Sequence, residues 1–287
     1  MAPTSIIDTH THFYDPTRPE GVPWPHPTEA LLYRQVLPRH FRELAEPLGV
    51  GGTVVVEASS WLADNDWILG LAESERCIVG FIGHAEPGGT FERELDRLAA
   101  RPLFRGIRLS GAHLAAESFA GTMRALEALA RRGLTVDLLV REGELDGATE
   151  VASRIPELNV VIDHLGGLRI DGASPPPEWR DRMALLAACP GVSCKVSGYV
   201  EAAASRPGPS RPEFYLPVLE TALGLFGRDR LLFGSNWPVC ELGGSYDTVV
   251  SVARHFAGRQ GPGFEELFFR TNAARAYGLA HTGRGGK

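Results

Sequence analysis

The chain repeats one pattern from end to end, in which a short apolar run rich in β-branched residues is followed by a longer stretch of helical periodicity. Most of the short runs are continuously apolar, as expected for parallel strands buried on both faces. Eight strand–helix units favour a closed (β/α)8 TIM barrel of the α/β class over an open doubly wound sheet, which periodicity alone leaves open. The predicted strands are Ser5–Thr9, Thr53–Glu57, Ile78–Gly83, Gly106–Leu109, Thr135–Val140, Val160–Asp163, Val192–Val196 and Leu231–Gly234.

The length of 287 residues suits one large barrel or two small domains. Neither a low-complexity linker nor a solenoid-type repeat interrupts the alternation, so we predict a single barrel domain over residues 1–287. Three segments rich in proline and glycine fall after predicted strands, at Asp15–Pro27, Gly172–Pro177 and Arg206–Pro212. In a barrel they become loops at the catalytic face, where we expect them to shape a pocket.

Charge and composition exclude several classes of protein. The formal net charge is −6 and no long run of one sign occurs, which argues against a nucleic-acid surface. The first ten residues lack the features of a secretory signal, and no stretch approaches the ~20 apolar residues that span a bilayer. The four cysteines lack CxxC spacing, and we interpret them as reduced. We therefore expect a cytoplasmic protein with a small-molecule partner, and the oligomeric state stays open.

Polar side chains collect at the ends of the predicted strands, where a barrel places its active site. His10 and His12 are two residues apart, so an extended backbone directs both to the same side. Two imidazoles on one face suit a divalent metal, zinc above all, and His164 supplies a third ligand from a later strand. The alternatives are a metal-free pocket in which the histidines are hydrogen-bonded, and a purely structural role.

Three charged residues accompany these histidines. Glu57 ends a run of valines, where a carboxylate could bind metal, hold substrate hydroxyls or take a proton from water. Arg108 and Lys195 are cations in apolar surroundings, and burying them unpaired is costly. A substrate carboxylate or a developing oxyanion is one natural partner for each. The alternative is an ion pair with Glu57 or Asp137.

Other polar residues are weaker candidates. Asp8 and Asp163 each lie next to a candidate histidine, either to orient an imidazole or to accept backbone amides, and the second role suits Asp163 better. Loop residues on the same face are more often solvated, and a tryptophan there is a pocket wall or a packed indole. This group comprises His84, Glu86, His113, Tyr199, Trp24 and Trp61.

Taken together, these motifs resemble a known family. Ile7–Phe13 (IDTHTHF) resembles the first-strand signature of the amidohydrolase superfamily. Asp163–Gly166 (DHLG), Cys194–Gly198 (CKVSG) and Phe233–Cys240 (FGSNWPVC) are similar to its lactonase branch, which includes fuconolactonase, rhamnonolactonase and pyrone-dicarboxylate lactonase. The resemblance covers nearly the whole chain.

The resemblance implies hydrolysis of a lactone, in which water attacks the ring carbonyl and the ring alkoxide leaves. Some members use one divalent metal, often zinc, and others work without metal. Carried over to this chain, His10, His12 and His164 form the metal or carbonyl site. Arg108 and Lys195 become cations that contact substrate.

The chain departs from the family pattern at Asn236, where the eighth strand is normally followed by an aspartate that serves as metal ligand and general base. An amide does not accept the proton from water at neutral pH, although its oxygen can ligate metal weakly or position water. Glu57 could take over as base, the reaction could differ, or the chain could be an inactivated variant. We favour a natural subgroup with catalytic residues Glu57, Asn236, His164, Arg108 and Lys195.

Three functions therefore stand at this point. The first is a lactonase acting on a small sugar lactone or carboxylated lactone. The second is a metal-dependent decarboxylase or other lyase of the same superfamily. The third is a catalytically silent small-molecule-binding barrel, suggested by Asn236.

Overall fold

A computed structural model describes residues 6–279 and contains one eight-stranded parallel sheet in the order β1 to β8. The predicted (β/α)8 barrel is confirmed, and each predicted strand is present within a few residues of its expected bounds; Ser5 lies outside the described residues. The strands are β1 Ile6–Thr11, β2 Val50–Val56, β3 Ile78–Gly83, β4 Phe104–Ser110, β5 Thr135–Leu139, β6 Asn159–Ile162, β7 Val192–Val196 and β8 Leu231–Phe233.

Helices connect the strands and cover the outside of the barrel. An α-helix precedes β2, and further helices follow each later strand. Two helical segments follow β8. The first is the helix Tyr246–Gly258, and the second, which begins at Phe264, contains one π-helical turn at Leu267–Thr271. The main helices are Pro38–Ala45, Leu62–Ser74, Phe91–Ala99, Ala116–Arg131, Leu145–Arg154, Pro177–Ala188, Leu216–Phe226, Tyr246–Gly258, Phe264–Glu266 and Asn272–Tyr277.

Most positions of the strands are apolar because both faces of the sheet are buried. In β2, Val54, Val55 and Val56 are all fully buried, yet successive residues belong to different apolar clusters. Val54 and Val56 pack with the C-terminal segment that carries Tyr277, whereas Val55 packs with the helical layer. This double burial explains why the strands read as continuous runs rather than as alternating ones.

The barrel closes where β1 meets the segment that follows β8. The backbone nitrogen of Asn236 donates to the carbonyl of His10 at 2.8 Å, and the nitrogen of His12 donates to the carbonyl of Trp237 at 2.9 Å. This closure brings residues more than 220 positions apart in the sequence into one ladder. It therefore fixes His10, His12 and Asn236 next to one another at the carboxyl end of the barrel.

Two further findings bear on the sequence predictions. Within residues 6–279, no helix combines the length and hydropathy needed to cross a bilayer. All four cysteines are free, and three of them are buried.

Candidate active site

The side chain of His12 offers one nitrogen lone pair to the barrel mouth. Its Nδ1 lies 3.0 Å from the carbonyl oxygen of Val56, and because a carbonyl only accepts, the proton is on Nδ1 and the lone pair is on Nε2. Burial, reinforced by the charge of Arg108, lowers the pKa of His12 to about 3. The ring is therefore neutral at physiological pH.

The amide of Asn236 faces His12 with its oxygen. Asn236 Oδ1 lies 3.2 Å from His12 Nε2, and its Nδ2 donates to Glu201 Oε1 at 2.5 Å. Since His12 Nε2 carries no proton, two acceptors face each other across this gap. Such a pair needs a cation or a hydrogen-bond donor between its members.

Glu201 belongs to the site and was not anticipated from the sequence. It lies in the loop after β7, outside any strand or helix. Its Oε2 is buried and has no hydrogen-bond partner among the described residues. Burial raises the pKa of Glu201 to about 7. A glutamate in an irregular loop has no periodic signal that would have marked it out.

His10 belongs to a fully buried charged network. Its Nδ1 lies 3.3 Å from Asp163 Oδ1 and 3.1 Å from Lys195 Nζ. The same ammonium contacts Asp163 Oδ1 at 3.1 Å and Asp137 Oδ2 at 2.5 Å, and Asp137 also accepts from the hydroxyl of Tyr277. Burial alone would raise the pKa of Asp163, but the charges of Lys195 and His10 outweigh it and hold that pKa well below its usual range.

Lys195 therefore differs from the substrate-contacting cation that the resemblance implied. Its side chain has no exposed surface, and its ammonium is surrounded by Asp137, Asp163 and His10. The structure shows the alternative that the sequence left open, an ion pair with Asp137. The physical reason is that burial at this depth requires charged partners for the ammonium.

Two candidate residues have a positive φ, the left-handed backbone conformation that residues other than glycine rarely adopt. His164 has φ 51° and Asn236 has φ 61°, and the neighbour of His164, Leu165, has φ 54°. Such conformations cost about 1–3 kcal/mol each and persist where the surroundings impose them, often at functional sites. The conformation at His164 directs its ring toward His10, with 4.4 Å between the ring centroids.

His164 is held by residues that directly follow β7. Its Nδ1 lies 2.8 Å from Ser197 Oγ, and burial lowers its pKa to about 4. Gly198 allows the ring to lie this close, because a Cβ at that position would be 2.7 Å from His164 Cβ. The imidazole is thus neutral and fixed against the barrel wall.

Glu57 and Arg108 form an ion pair at the barrel mouth. The Nε of Arg108 donates to Glu57 Oε1 at 2.8 Å, and a terminal nitrogen donates to the Glu57 carbonyl, also at 2.8 Å. Both side chains are about 15% exposed, so the pair borders solvent. The positive charge of Arg108 contributes to the lowered pKa of both His12 and His164.

A cleft with aromatic and carboxylate walls adjoins this pair, between the loop after β1 and the helix Leu62–Ser74. None of the three candidate histidines lines it, but Trp24 belongs to the cleft and also contacts His12, with 5.9 Å between their rings. Polar and aromatic lining residues alternate around the cleft. They include Tyr14, Arg18, Trp24, Glu57, Asp64 and Trp67.

Asp163 has the role opposite to the one that the sequence favoured for it, and Asp8, for which both roles stayed open, accepts backbone amides. Asp8 Oδ1 accepts from the backbone nitrogens of Ser235 at 2.8 Å and His10 at 3.1 Å, so Asp8 fastens the closure of the barrel. Asp163 instead contacts the ring of His10. Strand alternation gives the direction of a side chain but not which partner it meets.

Of the weaker loop candidates, Trp24 borders the site next to His12, and the others make contacts of their own. The loop group forms its own contacts, with Glu86 Oε2 lying 3.3 Å from His113 Nε2 and 3.8 Å from His84 Nε2. Tyr199 is buried and donates to the carbonyl of Val249. Trp61 is 38% exposed, whereas Trp24 is the indole that borders the site.

The donor set at the barrel mouth fits one divalent metal ion. His10 Nε2 is buried without a hydrogen-bond partner among the described residues, and His12 Nε2 faces Asn236 Oδ1 as a second acceptor. Ligand atoms of His10, His164 and Asp163 all lie within 4.8 Å of one another. Asp163 is already occupied by Lys195, so the atoms free to ligate are imidazole nitrogens and one amide oxygen.

Known proteins resemble this chain over nearly its full length. The family model for amidohydrolases matches residues 7–279. An L-fucono-1,5-lactonase of Burkholderia ambifaria is 32% identical over 253 residues, which cover 85% of this chain and 83% of that protein. An L-fucono-1,5-lactonase of Burkholderia multivorans is 30% identical over 292 residues, covering 95% and 96%.

A solved structure extends the comparison to the site. An amidohydrolase from Burkholderia multivorans with bound zinc superposes with a TM-score of 0.82 at 28% identity, covering 96% of this chain and 99% of that one. The fold is therefore shared with a protein whose structure contains zinc.

Proposed function

We propose, since the chain belongs to the amidohydrolase family, that it hydrolyses a small hydroxylated lactone at the carboxyl end of its barrel. The observation that carries the proposal is the facing pair of acceptors, His12 Nε2 and Asn236 Oδ1, next to the unpartnered Nε2 of His10. Two L-fucono-1,5-lactonases among the relatives support a sugar lactone as substrate.

We further propose that His10, His12 and His164 hold one divalent metal ion, zinc in the first place, with the amide oxygen of Asn236 beside them. All three imidazoles are buried and have a lowered pKa, so each stays neutral and keeps a lone pair at neutral pH. A bound metal would polarise the lactone carbonyl and stabilise negative charge on its oxygen.

The surrounding residues orient the histidines. His10 Nδ1 lies between Lys195 Nζ at 3.1 Å, which only donates, and Asp163 Oδ1 at 3.3 Å, which only accepts; a metal ion on His10 Nε2 requires the tautomer whose Nδ1 proton points to Asp163. Lys195 holds Asp163 in place through its contact with Oδ1. We assign Lys195 to positioning rather than to contact with substrate.

Glu57 is the carboxylate that we propose as proton acceptor. It takes a proton from the attacking water as the carbon–oxygen bond forms, and the carbonyl electron pair moves onto oxygen. Collapse of this intermediate breaks the ring ester bond, and the leaving alkoxide recovers the proton. Arg108 fixes Glu57 through two hydrogen bonds, and its charge near His12 and His164 favours the anionic intermediate.

The cleft beside Glu57 supports a hydroxylated substrate. Carboxylates of Glu57 and Asp64 accept hydrogen bonds from hydroxyl groups, and the indoles of Trp24 and Trp67 offer faces to the C–H surface of a sugar ring. Glu57 and Asp64 already pair with Arg108 and Arg18, so an aliphatic lactone would only forgo the additional hydrogen bonds that hydroxyl groups make to them. Sugar lactones therefore fit this cleft better than unsubstituted ones.

The test is a panel of lactones, with acid release followed by a pH indicator against the spontaneous rate. We expect turnover of sugar lactones by the zinc-loaded protein and a loss of about a hundredfold or more in the His12→Ala variant. His255→Ala, which changes a partly exposed histidine on the helix Tyr246–Gly258, is the matched control and should retain activity. Absence of turnover with every lactone, with zinc or manganese added, contradicts the proposal.

A cytoplasmic location is part of the same proposal, supported by four free cysteines. The absence of nucleic-acid and membrane partners stays a prediction from the sequence.

A further inference from the structure

We infer that Glu201 is a positioning residue, which turns the amide of Asn236 so that its oxygen faces His12 Nε2. The inference deepens the proposed function, on which its catalytic part rests. Glu201 Oε1 accepts from Asn236 Nδ2 at 2.5 Å, and Asn236 Oδ1 then lies 3.2 Å from His12 Nε2. Among residues 6–279, the one hydrogen bond between the Glu201 carboxylate and the site is the bond to this amide.

The opposite orientation of the amide is unfavourable. It would bring Asn236 Oδ1 to 2.5 Å from Glu201 Oε1, and two oxygen acceptors repel at that distance when the carboxylate is ionised. An amide without Glu201 could instead donate from Nδ2 to His12 Nε2 and satisfy the lone pair. Glu201 thus prevents the hydrogen bond that would close the site.

The loop that carries Glu201 is built to bring it close. Gly243, in the loop after β8, lies against it so tightly that a Cβ there would be 2.5 Å from Glu201 Cα. The nearby cation Arg206 donates to the backbone carbonyls of Glu201 and Leu242. The carboxylate is therefore left to Asn236, and its Oε2 stays buried without a hydrogen-bond partner among residues 6–279.

This arrangement predicts how the two residues depend on each other. A carboxylate at position 236 would face the Glu201 carboxylate, so Asn236→Asp alone introduces repulsion between like charges. Adding Glu201→Gln restores a donor–acceptor pair with the roles reversed, because the glutamine amide donates to the new aspartate. We therefore expect the double variant to bind zinc more tightly than Asn236→Asp alone.

The direct test is NMR of the protein labelled with [15N]asparagine, without metal or substrate. The chain has only four asparagines, Asn65, Asn159, Asn236 and Asn272, so the Asn236 side-chain signal is assigned by its loss in Asn236→Asp. At about pH 8.5, the Glu201 carboxylate, which accepts from Asn236 Nδ2, should shift the Asn236 amide protons downfield. Glu201→Leu should abolish that shift, and Glu213→Leu, which changes an exposed carboxylate, should leave it unchanged.

The functional arm measures zinc affinity and kcat and KM for the best lactone. Removal of an orienting partner typically costs about 10–100-fold in metal affinity or activity. We expect such a loss in kcat for Glu201→Leu, with KM nearly unchanged and with substantial recovery in Glu201→Gln. We also expect Asn236→Asp/Glu201→Gln to bind zinc more tightly than Asn236→Asp.

Several results would overturn the inference. One is an Asn236 amide signal that does not change in Glu201→Leu. Another is wild-type kcat and zinc affinity in that variant. The third is a double variant that binds zinc no more tightly than Asn236→Asp. If Glu201→Leu fails to fold, the comparison of Asn236→Asp with the double variant decides. A wild-type protein that opens no lactone contradicts the proposed function alone, because the NMR comparison needs neither substrate nor metal.

Discussion

Replacement of Lys195 by methionine isolates the contribution of the buried charge network. The stem of Lys195 is fully buried, and methionine fills a similar volume, so the change removes charge with little loss of packing. Asp137 and Asp163 then lose the ammonium that lies 2.5 Å and 3.1 Å from their oxygens. Two buried carboxylates without a cation do not both stay ionised, so one takes up a proton on folding.

The expected loss in the free energy of unfolding equals the cost of protonating that carboxyl. At about pH 7, protonating a carboxyl with an ordinary pKa of about 4 costs about 4 kcal/mol, which agrees with about 3–5 kcal/mol for breaking a buried ion pair. The folded-state pKa of this carboxyl is raised above its unfolded value. The penalty is therefore complete above the raised pKa and shrinks as the pH falls toward the unfolded pKa. At about pH 5, the loss should be smaller by about 3 kcal/mol.

Denaturant unfolding of wild type and Lys195→Met at both pH values measures the difference. Arg97→Met is the control, because Arg97 and Asp66 form an ion pair with side chains 43% and 47% exposed, and such pairs contribute less than about 1 kcal/mol. A loss below about 1 kcal/mol for Lys195→Met, or a loss that does not change with pH, would refute the reasoning. If Lys195→Met kept its stability but lost activity, Lys195 would instead be assigned to contact with substrate.

Three further predictions concern the site. Burial lowers the pKa of His12 to about 3 and of His164 to about 4, so neither ring should show the 15N shift of protonation between about pH 5.5 and 8, and protonation with a midpoint near 6.5 would be a contradiction. Gly198→Ala should lower both Tm and kcat because its Cβ meets His164, whereas Gly224→Ala, with open space around its Cβ, should raise stability by up to about 1 kcal/mol. Trp24→Ala should raise KM for a sugar lactone more than it lowers kcat; an unchanged KM would remove Trp24 from the substrate cleft.

The barrel was predictable because its strands are apolar on both faces. The runs Ile78–Gly83 and Val192–Val196 were located to the residue, since most of their positions are buried and apolar, although Val192–Val196 also carries Lys195. The positions of His10, His12 and Asn236 followed from the rule that parallel strands present their carboxyl ends at one face. Their mutual contacts depend on barrel closure, which joins residues far apart in the sequence.

The partners of the charged residues were not predictable to the same degree. Strand periodicity put Lys195 and Asp8 near the site but could not say that one ammonium would meet two aspartates or that Asp8 would accept backbone amides. Glu201 was not predicted at all, because an irregular loop has no hydrophobic periodicity and its partner, Asn236, is 35 positions away in the sequence. These contacts arise from tertiary packing, which a single sequence does not encode in a local pattern.

The central claim is that water attacks a lactone carbonyl at the histidine cluster, and oxygen-18 water tests it most directly. Mass spectrometry of the product from the fastest-opening sugar lactone, corrected for the spontaneous reaction, should show one oxygen-18 atom in the new carboxylate and none in the released hydroxyl. With His12→Ala, the amount of labelled product should fall to that of the spontaneous reaction. Label in the hydroxyl, release of carbon dioxide from aromatic acids in place of lactone opening, or equal rates in the two proteins would contradict the account.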